Sequence, residues 1–117
     1  MRKVILDTNF LLAPVQFKAD VYSLEGEMFT LESCISELEK MSKERTKRGS
    51  QARVALDMAG KNGVKLIRAR TNADKTLIEY ANKGYIIATN DKGLIEQLKN
   101  FGHNVIRLKQ KKILAEE

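Results

Sequence analysis

The sequence has little of what a disulfide-stapled or zinc-binding protein requires. Among its 117 residues there is one cysteine, Cys34, and one histidine, His103. A single cysteine cannot form an internal disulfide, and the two side chains together supply too few soft ligands for a zinc site. These absences predict a reducing, cytosolic setting, and they require any bound metal to be a hard ion held by oxygen atoms.

Long apolar runs are also missing. No run approaches the roughly 18 residues that a membrane helix needs, and the run that follows Lys3 ends when Asp7 interrupts it. The sequence therefore predicts neither a membrane span nor a signal peptide. With 43% hydrophobic and 31% charged residues over 117 positions, it predicts a single globular domain. Residues 108–117 are expected to form a short helix or a frayed tail on that domain.

Positive charge is in excess and unevenly distributed. The chain carries 21 basic and 15 acidic residues, a formal charge of +6. Glu44 is the only acid between positions 40 and 53, and a second basic group lies at 107–112. The basic residues of the first segment are Lys40, Lys43, Arg45, Lys47, Arg48 and Arg53. Two such segments favour a polyanionic partner, although solvated helix faces would show the same pattern.

Short apolar segments alternate with helical segments along the chain. Strands are predicted at 4–6, 27–31, 64–67, 85–88 and 104–107. Helices are predicted over 10–24 with an interruption at Pro14, from Ser33 or Ser36 to about 45, and over 51–61, 73–83 and 91–100. In the helix over 51–61 the apolar stripe would be Val54, Leu56 and Met58. This alternation predicts a three-layer α/β/α fold with a mostly parallel sheet.

Carboxylates stand where two of the predicted strands end. Asp7 begins the triplet Asp-Thr-Asn at 7–9, and Asp91 ends the triplet Thr-Asn-Asp at 89–91. In an open α/β sheet the carboxyl ends of parallel strands form the edge at which ligands bind. The sequence therefore predicts that these two acids meet at one edge of the sheet.

Asp74 extends this pattern to a neighbouring helix. At helical spacing it shares a face with Leu77 and Ala81, so its carboxylate is expected to face the core. Helix capping, worth about 1 kcal/mol, is the alternative explanation for each acid taken alone. Three converging carboxylates would repel one another unless a cation compensates, which predicts a divalent metal with oxygen ligands. Periodicity leaves open whether Glu37 or Glu39 is a fourth acid.

Four motifs in this order resemble the PIN-domain ribonucleases, and in particular archaeal proteins related to the PIN nuclease of the eukaryotic small-subunit processome. They are Val-Ile-Leu-Asp-Thr-Asn-Phe-Leu at 4–11, Ile-Ser-Glu-Leu-Glu-Lys at 35–40, Ala-Asp at 73–74 and Ile-Ala-Thr-Asn-Asp at 87–91. The resemblance implies a five-stranded parallel sheet in the order 3-2-1-4-5 with an acidic pocket at its carboxyl edge. It also implies Mg²⁺- or Mn²⁺-dependent cleavage of RNA.

The same resemblance implies a role for particular residues. The catalytic and metal-binding set would be Asp7, Glu37, Asp74 and Asp91, so the resemblance selects Glu37 over Glu39. Small polar residues that support the acids would be Asn9, Thr89 and Asn90. The basic segment at 40–53 would hold the RNA backbone. We therefore expect an endoribonuclease that acts on single-stranded or structured RNA, including ribosomal RNA, and that works in the cytoplasm.

Other functions fit part of the pattern. One is a non-catalytic RNA-binding or ribosome-assembly factor, and another is the toxin-type ribonuclease of a toxin–antitoxin pair. A phosphatase of the haloacid-dehalogenase type would need a second acid at the position of Asn9, and a receiver domain would need an acid after the strand at 64–67. Small domains of this kind often form homodimers, but the sequence identifies no interface.

Overall fold

A computed structural model of the protein describes residues 1–69 and 73–117. In this part of the chain the strands form one sheet in the order β3-β2-β1-β4-β5-β6. The strands are β1 (Lys3–Leu6), β2 (Glu27–Leu31), β3 (Lys65–Ile67), β4 (Ile86–Ala88), β5 (Val105–Lys109) and β6 (Ile113–Glu116). The first five are parallel, which confirms the predicted order 3-2-1-4-5, and β6 pairs antiparallel with β5.

Helices cover both faces of the sheet and complete the predicted α/β/α arrangement. They are α1 (Thr8–Phe17), α2 (Glu32–Ser42), α3 (Lys47–Lys61), α4 (Ala73–Asn82) and α5 (Lys92–Asn100). The first three pack against one another, whereas α4 packs against α5. None of the helices described here is long and apolar enough to cross a membrane.

The central strand β1 lies in the middle of the core. Val4, Ile5 and Leu6 are completely buried, as expected for a strand with a neighbour on each side and helices on both faces. Phe10 and Leu11 continue this buried run into α1, which extends through Pro14. The junction between β1 and α1 is therefore held firmly by packing on both sides.

The C-terminal residues are a correction to the prediction. Instead of a helix or a frayed tail, residues 108–117 complete β5 and form β6, with Lys109 opposite Ile113 in the hairpin. The turn uses Gln110 and Lys111 at positive φ angles of 51° and 67°. Hairpin turns of this backbone shape usually contain Gly, Asn or Asp, so the sequence carried no hairpin signal here.

The helix starts also differ from their predictions. Leu31 is the N-cap of α2, with no side-chain capping bond, so neither Ser33 nor Ser36 begins that helix. Helix α1 ends at Phe17, and a short 3₁₀ turn at Val21–Ser23 replaces its predicted continuation. Lys18 ends α1 in a left-handed conformation with φ of 55°, and β2 passes directly into α2 at Leu31.

Helix α3 is longer than predicted and uses a different face. It begins at Lys47, where the Thr46 side chain accepts a hydrogen bond from the amide of Gly49 at 3.2 Å. Val54 of the predicted stripe is 46% exposed. The buried face consists of small residues, which are Gly49, Ala52, Ala55 and Ala59. Small side chains allow the backbone of α3 to approach α2 and α1 closely.

Substitution of Gly49 tests this close approach. A Cβ atom at Gly49 would lie 2.0 Å from the carbonyl oxygen of Glu44, so Gly49→Ala should force the α2–α3 connection to move. We expect it to lower the free energy of unfolding by about 2 kcal/mol, measured by urea denaturation. Gly60→Ala, in the same helix, meets no atom within 4 Å and should raise stability by about 0.5–1 kcal/mol. Equal effects of the two substitutions would contradict the close packing.

Candidate active site

Asp7 joins the central strand to the first helix. Its backbone amide donates to the carbonyl of Ala88 at 3.2 Å, which extends the pairing of β1 with β4 by one residue. Its side-chain Oδ1 accepts from the amide of Phe10 at 2.9 Å and so caps the N-terminus of α1. One residue therefore ends the strand and starts the helix, and its carboxylate lies at the carboxyl edge of the sheet.

Thr89 connects Asp7 with Asp91. The Thr89 side chain is completely buried, and its Oγ1 donates to Asp7 Oδ2 at 2.6 Å. The same oxygen accepts from the backbone amide of Asp91 at 3.1 Å. Asp91 in turn caps α5 by accepting from the amide of Leu94 at 3.1 Å. The two triplets that resembled each other in the sequence thus meet through one hydroxyl group.

The environment of Asp7 opposes its charge. Burial raises its pKa above the ordinary value of 3.8, and the negative charge of Asp91 also raises the pKa. Hydrogen bonds from Thr89 and from the backbone amides of Phe10 and Asn9 act in the opposite direction, but burial has the larger effect. A buried acid beside a second acid is stabilised by a proton or a cation.

Glu37 approaches this site from α2. Its Oε2 accepts a hydrogen bond from the Thr8 hydroxyl at 3.0 Å, and Thr8 directly follows Asp7 in the chain. Thr8 was absent from the predicted supporting residues, although its place next to Asp7 was a usable signal. The side chain of Glu39 is exposed on another part of α2. The structure therefore ties Glu37 to the β1–α1 junction.

Asp74 is placed differently from the expectation that it faces the core. It is exposed in the first turn of α4, whereas Leu77 and Ala81 of the same helix are buried. Its side chain lines a groove between α4 and α5 that also includes Gln97 and Phe101. Since Asp74 shares its helix face with Leu77 and Ala81, its exposure reflects its place in the first turn of α4 and not a different face of the helix.

The two asparagines predicted as supporting residues have distinct surroundings. Asn90 Oδ1 accepts from the backbone amide of Leu108 at 2.8 Å, which anchors the β4–α5 connection to β5. The side chain of Asn9 is exposed on the first turn of α1. Asn90 thus supports the acids indirectly, by fixing the backbone on which Thr89 and Asp91 stand.

The carboxylate oxygens of the site suit a hard cation, although the acidic side chains are not closely clustered. Within residues 1–69 and 73–117, no three carboxylate, imidazole or thiol side chains are close enough to form a metal cluster. Mg²⁺ commonly binds through only one or two carboxylates, with water and substrate phosphate completing its shell. Asp7 and Asp91 fit that donor set. The four-acid ligand set stays a prediction.

The Thr89 hydroxyl offers a test of how this site is held together. Thr89→Val keeps the shape but removes the donor to Asp7 and the acceptor for the Asp91 amide, so stability should fall by about 1–3 kcal/mol. The pKa of Asp7 should rise further. A raised pKa in the folded state means that stability is lost as pH rises from about 4 through that pKa.

Urea denaturation between acidic and neutral pH measures this effect. The loss of unfolding free energy caused by Thr89→Val should be smallest at acidic pH, where Asp7 is protonated, and should grow towards neutral pH. Thr89→Ser retains the hydroxyl and serves as the matched control, with most of the stability restored. A loss that does not change with pH would show that the hydroxyl does not act through Asp7.

Comparisons with known proteins identify the family. Residues 4–111 match a family model described as a PIN-like domain. The chain is also similar to Ribonuclease VapC4 of Methanocaldococcus jannaschii, with 34% identity over 123 aligned positions that cover 96% of this chain and 94% of that protein. Both matches span nearly the whole sequence, including the acids at the sheet edge. The link to relatives of the processome nuclease stays a prediction. The chain belongs to the PIN-domain ribonuclease family, which confirms the family resemblance of its motifs.

Proposed function

We propose that this protein is a divalent-metal-dependent endoribonuclease whose active site is centred on Asp7. The observation that carries the proposal is the half-buried Asp7 carboxylate at the carboxyl edge of the sheet, hydrogen-bonded to Thr89 and near Asp91. A buried acid with a raised pKa weakens the fold at neutral pH, and such groups concentrate at functional sites. The family membership and the similarity to a ribonuclease support hydrolysis of RNA as the reaction.

The acids provide the oxygen donors that Mg²⁺ and Mn²⁺ prefer. When bound, such an ion supplies a more acidic water and stabilises negative charge on the phosphate that is attacked in line. Thr89 keeps the Asp7 carboxylate in one orientation through its 2.6 Å hydrogen bond. Helix α5 fixes Asp91 through the capping bond to Leu94. We include Glu37 and Asp74 in the ligand set, with Glu37 able to accept a proton through water.

The basic segment at 40–53 would bind the RNA backbone, and its residues divide into two groups. Arg53 donates to the carbonyl oxygens of Ser42 and Glu44, so it stabilises the connection between α2 and α3. Arg48 lies 3.7 Å from the Glu44 carboxylate. We assign the main phosphate contacts to the exposed side chains of the remaining four, which are Lys40, Lys43, Arg45 and Lys47.

Replacement of Asp7 tests the catalytic assignment. Asp7→Asn should reduce cleavage of a single-stranded RNA in Mn²⁺ by at least about 100-fold, because it removes a charged ligand at the centre of the site. The variant should be at least as stable as the wild type at neutral pH, since it also removes a buried charge. Cleavage is followed by gel electrophoresis and stability by urea denaturation.

Asp57→Asn is the matched control, because Asp57 is exposed on α3 and paired with Lys61 at 3.1 Å. It should leave cleavage unchanged. Full activity of Asp7→Asn would overturn the proposed site. Wild-type protein that binds RNA but never cleaves it with Mg²⁺ or Mn²⁺ would instead indicate a non-catalytic RNA-binding or assembly factor. Ribosomal precursor RNA tested beside unrelated RNA would show whether rRNA is a preferred substrate.

Glu37 and Glu39 provide a second pair of matched substitutions on one helix. Glu37→Gln should lower cleavage by at least about tenfold, because the Glu37 carboxylate is held near Asp7 through Thr8. Glu39→Gln makes the same change from carboxylate to amide at an exposed position of the same helix, and it should have no measurable effect on cleavage. Cleavage rates at saturating Mn²⁺ and the Mn²⁺ concentration for half-maximal rate would be compared. Equal rates for the two variants would remove Glu37 from the site.

The similarity to Ribonuclease VapC4 favours one further possibility, a toxin-type ribonuclease. Expression of the wild-type chain in a heterologous host would then arrest growth, whereas Asp7→Asn would not. Relief of the arrest by the product of an adjacent reading frame would identify an antitoxin. Normal growth with active enzyme present would favour a role in RNA processing.

A further inference from the structure

A basic groove runs along α5, next to β5. Its volume is about 420 Å³. The residues that line it are Lys92, Ile95, Glu96, Lys99 and Asn100 of α5 and Arg107 of β5. Lys92 directly follows Asp91, so the groove begins beside the candidate active site. The helix rises by about 10 Å from Lys92 to Lys99, which gives the groove an extended shape.

Cations outnumber acids in this groove. Lys92, Lys99 and Arg107 face a single lining acid, Glu96. The Nε atom of Arg107 is buried and has no hydrogen-bond partner among the residues that the structure describes. Val105, Arg107 and Lys109 project from the same face of β5 because side chains alternate along a strand. The groove therefore collects positive charge from both the helix and the strand.

Glu117 shows how an anion is held there. Its Oε1 lies 3.4 Å from Arg107 Nη1 and 3.8 Å from Lys99 Nζ, and its Oε2 lies 3.2 Å from Lys109 Nζ. The hydrogen bond from Lys109 lowers the pKa of Glu117, so the carboxylate is charged at neutral pH. Three cations thus converge on one negatively charged group that the chain itself supplies.

These ion pairs are exchangeable. The side chains of Lys99, Arg107 and Lys109 are between 37% and 53% exposed, and solvent-exposed ion pairs contribute little to stability. The backbone of Glu117 is held separately, by reciprocal hydrogen bonds with Val105 at 2.8 Å. The carboxylate can therefore leave the cations without the strand pairing being broken.

We propose that this groove binds the phosphate backbone of single-stranded RNA beside the active site, and that the Glu117 carboxylate competes with RNA for the same cations. The identity of the polyanion rests on the proposed function. Lysine and arginine form charge-assisted hydrogen bonds with phosphate as well as with carboxylate, so RNA phosphates can replace the Glu117 carboxylate at these cations. The bound strand would extend from the edge that carries Asp91 along α5.

RNA binding by the full chain tests the proposal directly. Fluorescence anisotropy with a labelled single-stranded RNA, in EDTA to prevent cleavage, gives the Kd of each variant. Lys99→Gln should weaken binding about fivefold and reduce the slope of log K against log salt by about 0.7, the value for one lost contact to a single strand. Glu117→Gln should strengthen binding about threefold, because it removes the competing charge.

Two variants control for the change in net charge. Lys61→Gln removes an exposed lysine on α3, and Glu25→Gln removes an exposed acid, so each should stay within about twofold of the wild-type Kd. The proposal would be overturned if the Lys99→Gln variant had the same Kd for RNA as the Lys61→Gln variant. The proposal would also be overturned if the Glu117→Gln variant bound RNA no more tightly than the Glu25→Gln variant. That result is expected if Glu117 only anchors β6. Tight binding of inorganic phosphate that is lost in Lys99→Gln would assign the groove to a small anion and overturn the assignment to RNA.

Cleavage assays separate this inference from the proposed function. If the wild type cleaves RNA and Asp7→Asn does not, but Kd is insensitive to Lys99 and Glu117, the groove assignment alone fails. If Kd responds as expected but no RNA is cleaved with either metal, the nuclease proposal fails and the groove remains an RNA-binding site.

Discussion

The hydrogen bond from the Thr89 hydroxyl to the Asp7 carboxylate couples two halves of the molecule that are 82 residues apart in the chain. It links the end of β1 with the end of β4, and through the Asp91 amide it also sets the start of α5. Without this donor, the half-buried Asp7 carboxylate beside Asp91 would keep only its backbone hydrogen bonds, so its charged form would be less favourable. The site and the sheet edge therefore depend on the same contact.

Helix capping and a metal site were alternative explanations of the acids when only the sequence was considered, but the geometry allows both. In Asp7 and in Asp91, Oδ1 accepts from the third residue of the following helix and so satisfies a helix N-terminus. The capping bonds hold each side chain in a single orientation. For Asp7 the second oxygen is then directed to Thr89. Capping thus orients the carboxylates on which the proposed chemistry depends.

The excess of positive charge is divided between structure and surface. Arg53 binds two carbonyl oxygens at the end of α2 and so contributes to the fold, whereas Lys99, Arg107 and Lys109 form exposed, exchangeable pairs with Glu117. The lysines at 40–47 remain on the exposed surface. One basic region lies on α2, on α3 and between them, and the other lies on α5 and β5, where Lys92 directly follows Asp91. The distribution of the cations over the surface is information that net charge alone does not contain.

The sequence by itself determined the parallel core, its strand order and the place of Asp7 and Asp91, because a buried strand that ends in an acid is a local pattern and the family motifs are contiguous. Tertiary structure decided the rest. The exposure of Asp74 depends on where α4 begins, and the hydrogen bond between Thr8 and Glu37 joins residues 29 apart. Strand β6 follows a turn through Gln110 and Lys111 at positive φ, a conformation that those residue types do not signal and that the pairing of β6 with β5 stabilises.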